Sequence, residues 1–328
     1  TAVSAFRAQR RGGKGVIGMT TRDAATERQE DDFVEHLFTA TTHDYLMFFT
    51  QSGRCYVEKV YEIPEMGRAS KGRSIANILE LRSDEKIAAT IRIQSKTTGS
   101  GPTAVDNTWD DSLHIVFASQ TGIVKKSNLS EFKNIRKGGI IAIQVEEGDR
   151  LIDAKLTTGH DEIVLITKEG MSLRFHEEQL RDQGRNTVGV WGIRPEKKDL
   201  VVGSAIVNND AMLLVAGENG IGKRTSFEEY RLQSRGGKGI ITMKTGDKTG
   251  DVVGALTVRD SDELMLITTK GQMVRTRVAE IRETGRNAQG VKLIDLKDGE
   301  KLQAIAPVVS DEEEGAPPDG VPPEEAAA

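Results

Sequence analysis

A chain of 328 residues that is 37% hydrophobic can form one large all-β domain or two ordinary domains, each with a real core. Its single cysteine, Cys55, excludes a disulfide framework and a cysteine-based zinc site, and no apolar run approaches the roughly 18 to 20 residues that cross a bilayer. The formal net charge of -5 is set by the last nineteen residues, where Asp311, Glu312, Glu313, Glu314, Asp319, Glu324 and Glu325 meet no Lys or Arg, so the body carries about +2. These values imply a cytoplasmic protein with no membrane partner.

Near the start stands Gln9-Arg10-Arg11-Gly12-Gly13-Lys14-Gly15, a heptad that returns almost unchanged as Gln233-Ser234-Arg235-Gly236-Gly237-Lys238-Gly239. Weaker relatives end at Gly72, Gly189 and Gly290, and a shortened copy, Asn134-Ile135-Arg136-Lys137-Gly138-Gly139, makes a set of six. Steps between successive final glycines, from Gly15 to Gly290, are 57, 67, 50, 50 and 51 residues. A second series of glycines, Gly53, Gly122, Gly170, Gly220 and Gly271, ends a turn between two apolar runs; each lies 19 residues before a motif glycine, except Gly122, which lies 17 before. Self-similarity at such a period signals a repeat architecture.

Each unit follows one plan. An apolar run such as Leu151 to Leu156 precedes a polar turn and a second run such as Ile163 to Ile166. Then come the turn glycine, an alternating run such as Met171 to Phe175, the motif, and a short apolar stretch such as Ile240 to Met243. Runs of four to eight residues rich in Val, Ile and Leu between Gly, Asn and Asp predict strands, and glycine in the turns predicts hairpins. The predicted fold is an all-β, six-bladed propeller-like ring over residues 1-309, with blades of about four strands and units ending near residues 15, 72, 139, 189, 239 and 290. Thr21 to Asp32 and Gln94 to Asp111 read as inserted loops. The first unit lacks its hairpin and the chain opens without Met, as expected of a piece of a longer protein; the strand within residues 301-309 is then expected to close the first blade. Residues 310-328, acidic and holding half the prolines, read as a disordered tail.

Catalytic chemistry finds no constellation in this sequence. Gly217 to Lys223 matches half of a phosphate-binding loop, but Arg224 stands where Ser or Thr must hold magnesium, and a strand follows where a helix is needed. The five histidines, His36, His43, His114, His160 and His176, lack metal-ligand spacing, and Asp31-Asp32 and Asp110-Asp111 fall in the insertions.

Basic residues, in contrast, repeat in register. Arg11, Arg68, Arg185, Arg235 and Arg286 each stand four residues before a motif glycine, with Arg136 and Lys137 covering the shortened copy and Lys71 and Lys238 inside their motifs. Lys126, Arg174, Arg224 and Arg275 stand four residues after a turn glycine, and Lys59 six after Gly53. Equal register in a ring means equal position on each blade, which predicts a basic belt around one rim, suited to a polyanion. Pairing with nearby Glu177, Glu178, Glu228 and Glu229 is the simpler alternative. The Gly-Gly-Lys-Gly segments add backbone N-H groups able to face an anion, and with aromatics at only 5% the pattern favours a duplex backbone over stacked single strands.

The heptad Gln9 to Gly15 matches the signature box of the DNA gyrase A C-terminal domain, and Asp32 to Phe38 and Tyr61 to Glu65 also resemble that family. The resemblance implies a β-pinwheel that wraps double-stranded DNA on its outer rim, with Gln9, Arg10, Arg11, Gly12, Gly13, Lys14 and Gly15 as the primary wrapping site. The belt residues of other blades become further phosphate contacts. It also implies an N-terminal cleavage domain in the same polypeptide and a separate ATPase subunit, in a nucleoid-associated heterotetramer whose other domains use ATP and Mg. No cofactor, metal or catalytic residue is expected in this chain. A topoisomerase IV-type domain and a protein-binding propeller remain as alternatives.

Overall fold

The computed structural model describes residues 16-17, 40-65, 75-98, 105-196 and 198-308. Five hairpins organise them: Tyr45–Thr50 with Arg54–Lys59, His114–Ser119 with Ile123–Asn128, Glu162–Thr167 with Met171–His176, Met212–Gly217 with Ile221–Ser226, and Glu263–Thr268 with Gln272–Arg277. In each, the first strand is buried almost throughout because both its faces meet neighbouring blades, which is why it reads as a continuous apolar run. The turn glycines sit at positive φ; at Gly170 (φ 82°) a Cβ would also lie 2.2 Å from Met243 O, so only glycine fits.

Two more strands complete every hairpin. An inner strand pairs with the hairpin's first strand, namely Ile87–Ile93, Leu151–Thr157, Val201–Ile206, Val252–Val258 and Leu302–Val308 in blade order. Successive inner strands contact one another and line the ring's axis. A two-residue strand pairs with the hairpin's second strand at the outer edge: Ile140–Ile141, Val190–Trp191, Ile240–Ile241, Val291–Lys292 and Val16–Ile17. This outer strand follows a motif, and the motif belongs to a neighbouring repeat. Val190–Trp191 follows the hairpin 162-176 in sequence, for example, yet completes the sheet of 114-128. Sequence repeat and structural blade are therefore different units.

Blades are joined by one recurring hydrogen bond. The N-H groups of Leu151, Val201, Val252 and Leu302, each opening an inner strand, donate to the carbonyls of Gln51, Gln120, Lys168 and Glu218 in the preceding hairpin at 2.9, 2.9, 2.9 and 2.7 Å. Between the first two blades Phe49 packs edge-on to Phe117, with centroids 5.3 Å apart, and both meet Phe132 at 6.3 Å. Cys55 is fully buried in the same cluster as these phenylalanines, and elsewhere the core is mainly aliphatic.

The expectation of six blades is corrected to five among the described residues. Each blade needs a hairpin, and the sequence has five turn glycines against six motif copies; the strand after the first motif, Val16–Ile17, joins the hairpin 263-277. The same sheet holds Leu302–Val308. Within the second insertion, Thr97–Thr98 and Val105–Asp106 form a small ribbon. The first insertion and the acidic tail lie outside the described residues.

Candidate nucleic-acid interface

Each described motif runs along the outer edge of the preceding blade, and the three full-length ones are fixed at both ends. At its start, Gln183, Gln233 and Thr284 donate their N-H groups to Lys126 O, Arg174 O and Arg224 O at 2.8, 2.9 and 3.0 Å. Three residues past the motif glycine, Ala142, Gly192, Thr242 and Leu293 donate to the turn-glycine carbonyls of Gly53, Gly122, Gly170 and Gly220 at 2.8 to 2.9 Å. The motif thereby covers an otherwise open sheet edge. Its last glycine makes the close approach possible: Gly239 has φ 83°, and a Cβ there would lie 2.4 Å from Ser172 O.

Three side-chain layers surround these loops. Beneath them lies the residue three past each turn glycine. Lys125 donates from Nζ to the carbonyls of Ala142, Gly184 and Arg185 at 2.6, 3.0 and 2.9 Å, and Lys223 donates to those of Gly285 at 2.6 Å and Arg286. Burial lowers both amines to about 8, against the partial opposition of Glu131 and Glu229. The corresponding Leu173 packs under Gly237. The phosphate-loop lookalike is accordingly a hairpin with Gly220 at its turn and Lys223 fully buried.

The second layer holds the basic residues four past the turn glycine, and it points inward. Arg174 pairs with Glu162 and donates from Nη1 to Phe227 O and Tyr230 O at 2.7 and 3.0 Å. Arg224 pairs with Asp260 and donates from Nε to Ile281 O at 2.6 Å. Lys126 lies 3.4 Å from Glu177 O and 3.7 Å from Asp182, and Arg275 bonds Glu263 at 2.6 Å. The three carbonyl-bound members clasp the 3-10 turn of the following repeat. Lys126, Arg174, Arg224 and Arg275, expected to present charge on the rim, thus have their heads engaged by carbonyls and by Asp182, Glu162, Asp260 and Glu263, and not by the carboxylates of Glu177, Glu178, Glu228 or Glu229.

The third layer is the motif surface. Arg136, Lys137 and Lys238 are exposed, and Arg185, Arg235 and Arg286 are partly exposed. Arg235 reaches across to Trp191 O at 3.1 Å and Arg286 to Ile241 O at 2.6 Å, so these guanidinium groups lie on the neighbouring outer strand. Lys238 faces Glu196 at 3.2 Å with both side chains in solvent. Gly236 donates its N-H to Gly192 O at 2.6 Å, so that amide is not directed toward an anion as the nest reading expected. Gln9, Arg10, Arg11, Gly12, Gly13, Lys14, Gly15, Arg68 and Lys71 lie outside the described residues.

The structure adds residues that the motifs do not mark. Arg181, Arg231 and Arg282 are all exposed and each stands four residues before a motif arginine. The same register offset on three consecutive blades is the signal that the sequence carries for them. Ile141, Trp191 and Ile241, each two past a motif glycine, are exposed by 44, 40 and 40%, and Arg194 lies over the Trp191 ring at 5.7 Å. The motif face thus combines exposed arginines with apolar surface. Among the described residues no cluster of three or more His, Cys, Asp or Glu side chains could hold a metal, and no helix is long and apolar enough to cross a membrane.

Comparison with known proteins agrees with this architecture. The family model described as DNA gyrase C-terminal domain, beta-propeller, matches residues 1-40, 44-94, 113-158, 161-208, 211-259 and 262-308. DNA gyrase A of Mycolicibacterium smegmatis is 42% identical over 96% of this chain and 35% of its own length, and that of Escherichia coli is 40% identical over 95% of this chain and 34% of its own. The chain thus spans about a third of the length of these relatives. Among solved structures, a DNA gyrase A C-terminal domain superposes with a TM-score of 0.78 at 23% identity over 94% of this chain and 95% of the other. The C-terminal domain of a DNA topoisomerase IV does so at 0.69 and 25% identity, over 81% of this chain and 80% of the other. With six matched segments, a shared fold and relatives at 40% identity and above, this chain belongs to the family of DNA gyrase A C-terminal domains.

Proposed function

We propose that this domain binds duplex DNA without sequence preference along its outer rim and wraps it with a positive hand, directing the duplex to the cleavage core of DNA gyrase for negative supercoiling. The observation that carries this reading is the repeated pair of arginines on three consecutive blades: Arg181 with Arg185, Arg231 with Arg235, and Arg282 with Arg286. Such a series matches the regular phosphates of a bent duplex better than it matches a compact ligand. Bending 20 to 30 bp costs about 1 to 6 kcal/mol, which many phosphate contacts together offset. The box Gln9 to Gly15 anchors the wrap, and Arg136, Lys137, Lys238, Arg68 and Lys71 extend it. Chemistry lies elsewhere in the parent ATP-dependent type IIA topoisomerase of the bacterial cytoplasm, where the domain's partners are the N-terminal cleavage domain and the ATPase subunit.

Ligating nicked circular DNA saturated with the chain and reading the linking-number distribution tests this. The expected result is a positive shift that disappears when Arg10, Arg11 and Lys14 are replaced by Ala. Binding with no shift favours a topoisomerase IV-type role, the second reading, which the likeness to that enzyme's C-terminal fold supports. Failure to bind duplex at low salt overturns both. The acidic tail competes for the same rim, so ending the chain at Ser310 tightens binding at low salt; equal affinity refutes the competition.

A further inference from the structure

Nine residues past the turn glycine, on the 3-10 turn after each hairpin, stand Glu62, Glu131, Gln179, Glu229 and Glu280; of these, Glu131, Gln179 and Glu229 are exposed and face the motif arginine of the next repeat. Glu229 Oε2 accepts the Arg286 N-H at 2.9 Å. Gln179 Oε1 accepts the Arg235 N-H at 3.0 Å, and Glu131 Oε2 lies 3.8 Å from Arg185 Nε. Six residues earlier, beneath the same loops, stand Lys125, Leu173 and Lys223. Tyr56 and Val274 hold that buried position in the blades of Glu62 and Glu280, and the glutamate position is neutral only at Gln179.

A carboxylate oxygen held on a backbone N-H, as at Glu229, or beside a guanidinium, as at Glu131, makes a contact that a phosphodiester oxygen would take. We infer, building on the DNA-wrapping reading above, that Glu131 and Glu229 act as internal occupants of phosphate positions on their motif loops. Gln179 then leaves the Gln233 to Gly239 loop as the most receptive phosphate site among the described blades. A phosphate arriving at Arg286 must displace a like charge. At Arg235 it displaces only a neutral amide, whose Nε2 keeps its contact with Gln233 O at 3.4 Å. The exposed Lys238 lies in the same loop, and its ion pair with Glu196, open to solvent on both sides, holds it only weakly. The rim is therefore graded, with the near-copy of the box as its strong point among these blades.

The test is a titration of a mixed-sequence linear duplex with the full chain across a range of salt concentrations. Glu229→Gln and Glu131→Gln each tighten binding by about threefold, and each steepens the slope of log K against log salt by about 0.9, as one more phosphate is engaged. Gln179→Glu weakens binding by about threefold. Glu147→Gln removes the same charge from the turn at 146-149, where Glu147 is exposed, and reports the effect of net charge alone. Glu229→Gln behaving like Glu147→Gln, or a folded Gln179→Glu that binds like the parent, overturns the inference. The two glutamate variants decide the matter alone should Gln179→Glu fail to melt as a folded protein. A parent chain that does not bind duplex at all defeats the wrapping proposal instead, and is seen before any variant is compared.

Discussion

Lys223 Nζ sits directly beneath the motif of the following repeat and donates to the carbonyl of Gly285 at 2.6 Å. Lys125 holds Gly184 in the same way at 3.0 Å. Both side chains are fully buried, and the loops above them carry Arg286 and Arg185 on the rim. Burial lowers each amine from 10.5 to about 8. An unfolded chain keeps its proton on both amines through that interval, whereas the folded chain has released it. Unfolding then takes up protons, so these two groups make stability rise with pH from about 8 to about 10.5 and leave it flat below.

Cys55 works in the opposite direction, because burial raises its thiol and the folded state keeps a proton that the unfolded state loses. The readout is therefore a difference. Urea denaturation at about pH 7.5 and about pH 10 is expected to show the parent gaining stability relative to a Lys125→Met, Lys223→Met double variant. Parallel pH profiles in the two proteins refute it.

Arg174 and Arg282 separate clasp from rim. Arg174→Ala leaves Glu162 and the carbonyls of Phe227 and Tyr230 without their donor and costs about 3 kcal/mol in a denaturation curve. Arg282→Ala, exposed on the motif face, changes stability by less than about 0.5 kcal/mol. It lowers the salt slope of DNA binding by about 0.9. Equal stability losses in both variants contradict the division.

Two glycines with the same backbone sign differ in what surrounds them. Gly148 has φ 82° and a Cβ there would meet only open space, so Gly148→Ala costs just the left-handed backbone penalty, about 1 kcal/mol. Gly239→Ala adds a collision with Ser172 O and costs about 3 kcal/mol or more, while displacing the Arg235 to Lys238 loop. Thermal melts of the two variants, with Arg235→Ala as the reference for DNA binding, check both effects.

Salt dependence distinguishes a DNA rim from a protein-binding propeller. With roughly ten phosphates neutralised, log K falls against log salt with a slope of about -9. A slope near zero for the parent chain removes the polyanion reading and leaves the apolar surface at Ile141, Trp191 and Ile241 as the better guide to a partner.

Much of the fold is legible in the sequence because strands and turns are local. Turn glycines at Gly53, Gly122, Gly170, Gly220 and Gly271 mark the five hairpins, and the inner strands appear as the apolar runs before them. Counting motif copies gives one blade too many, because the described residues hold five hairpins for six motif copies, and a motif's outer strand completes a different blade from the one it follows. Direction is the other hidden quantity. Arg174 and Arg235 are equally periodic and equally basic, and only the packing shows that one faces a neighbouring turn and the other the rim. The roles of Lys125, Lys223, Glu131, Gln179 and Glu229 depend on contacts more than fifty residues apart, such as Lys223 with Gly285, which periodicity alone does not reveal.

The lending of outer strands has a consequence for how the ring comes apart. Blade 114-128 is finished by Val190–Trp191 from the next repeat, and blade 162-176 by Ile240–Ile241 from the one after. No repeat excised by its sequence boundaries contains a whole sheet, and removing one exposes edges in two places. Loss of order at any position thus spreads along the chain, and the domain melts as one cooperative body instead of unzipping repeat by repeat as stacked solenoids do.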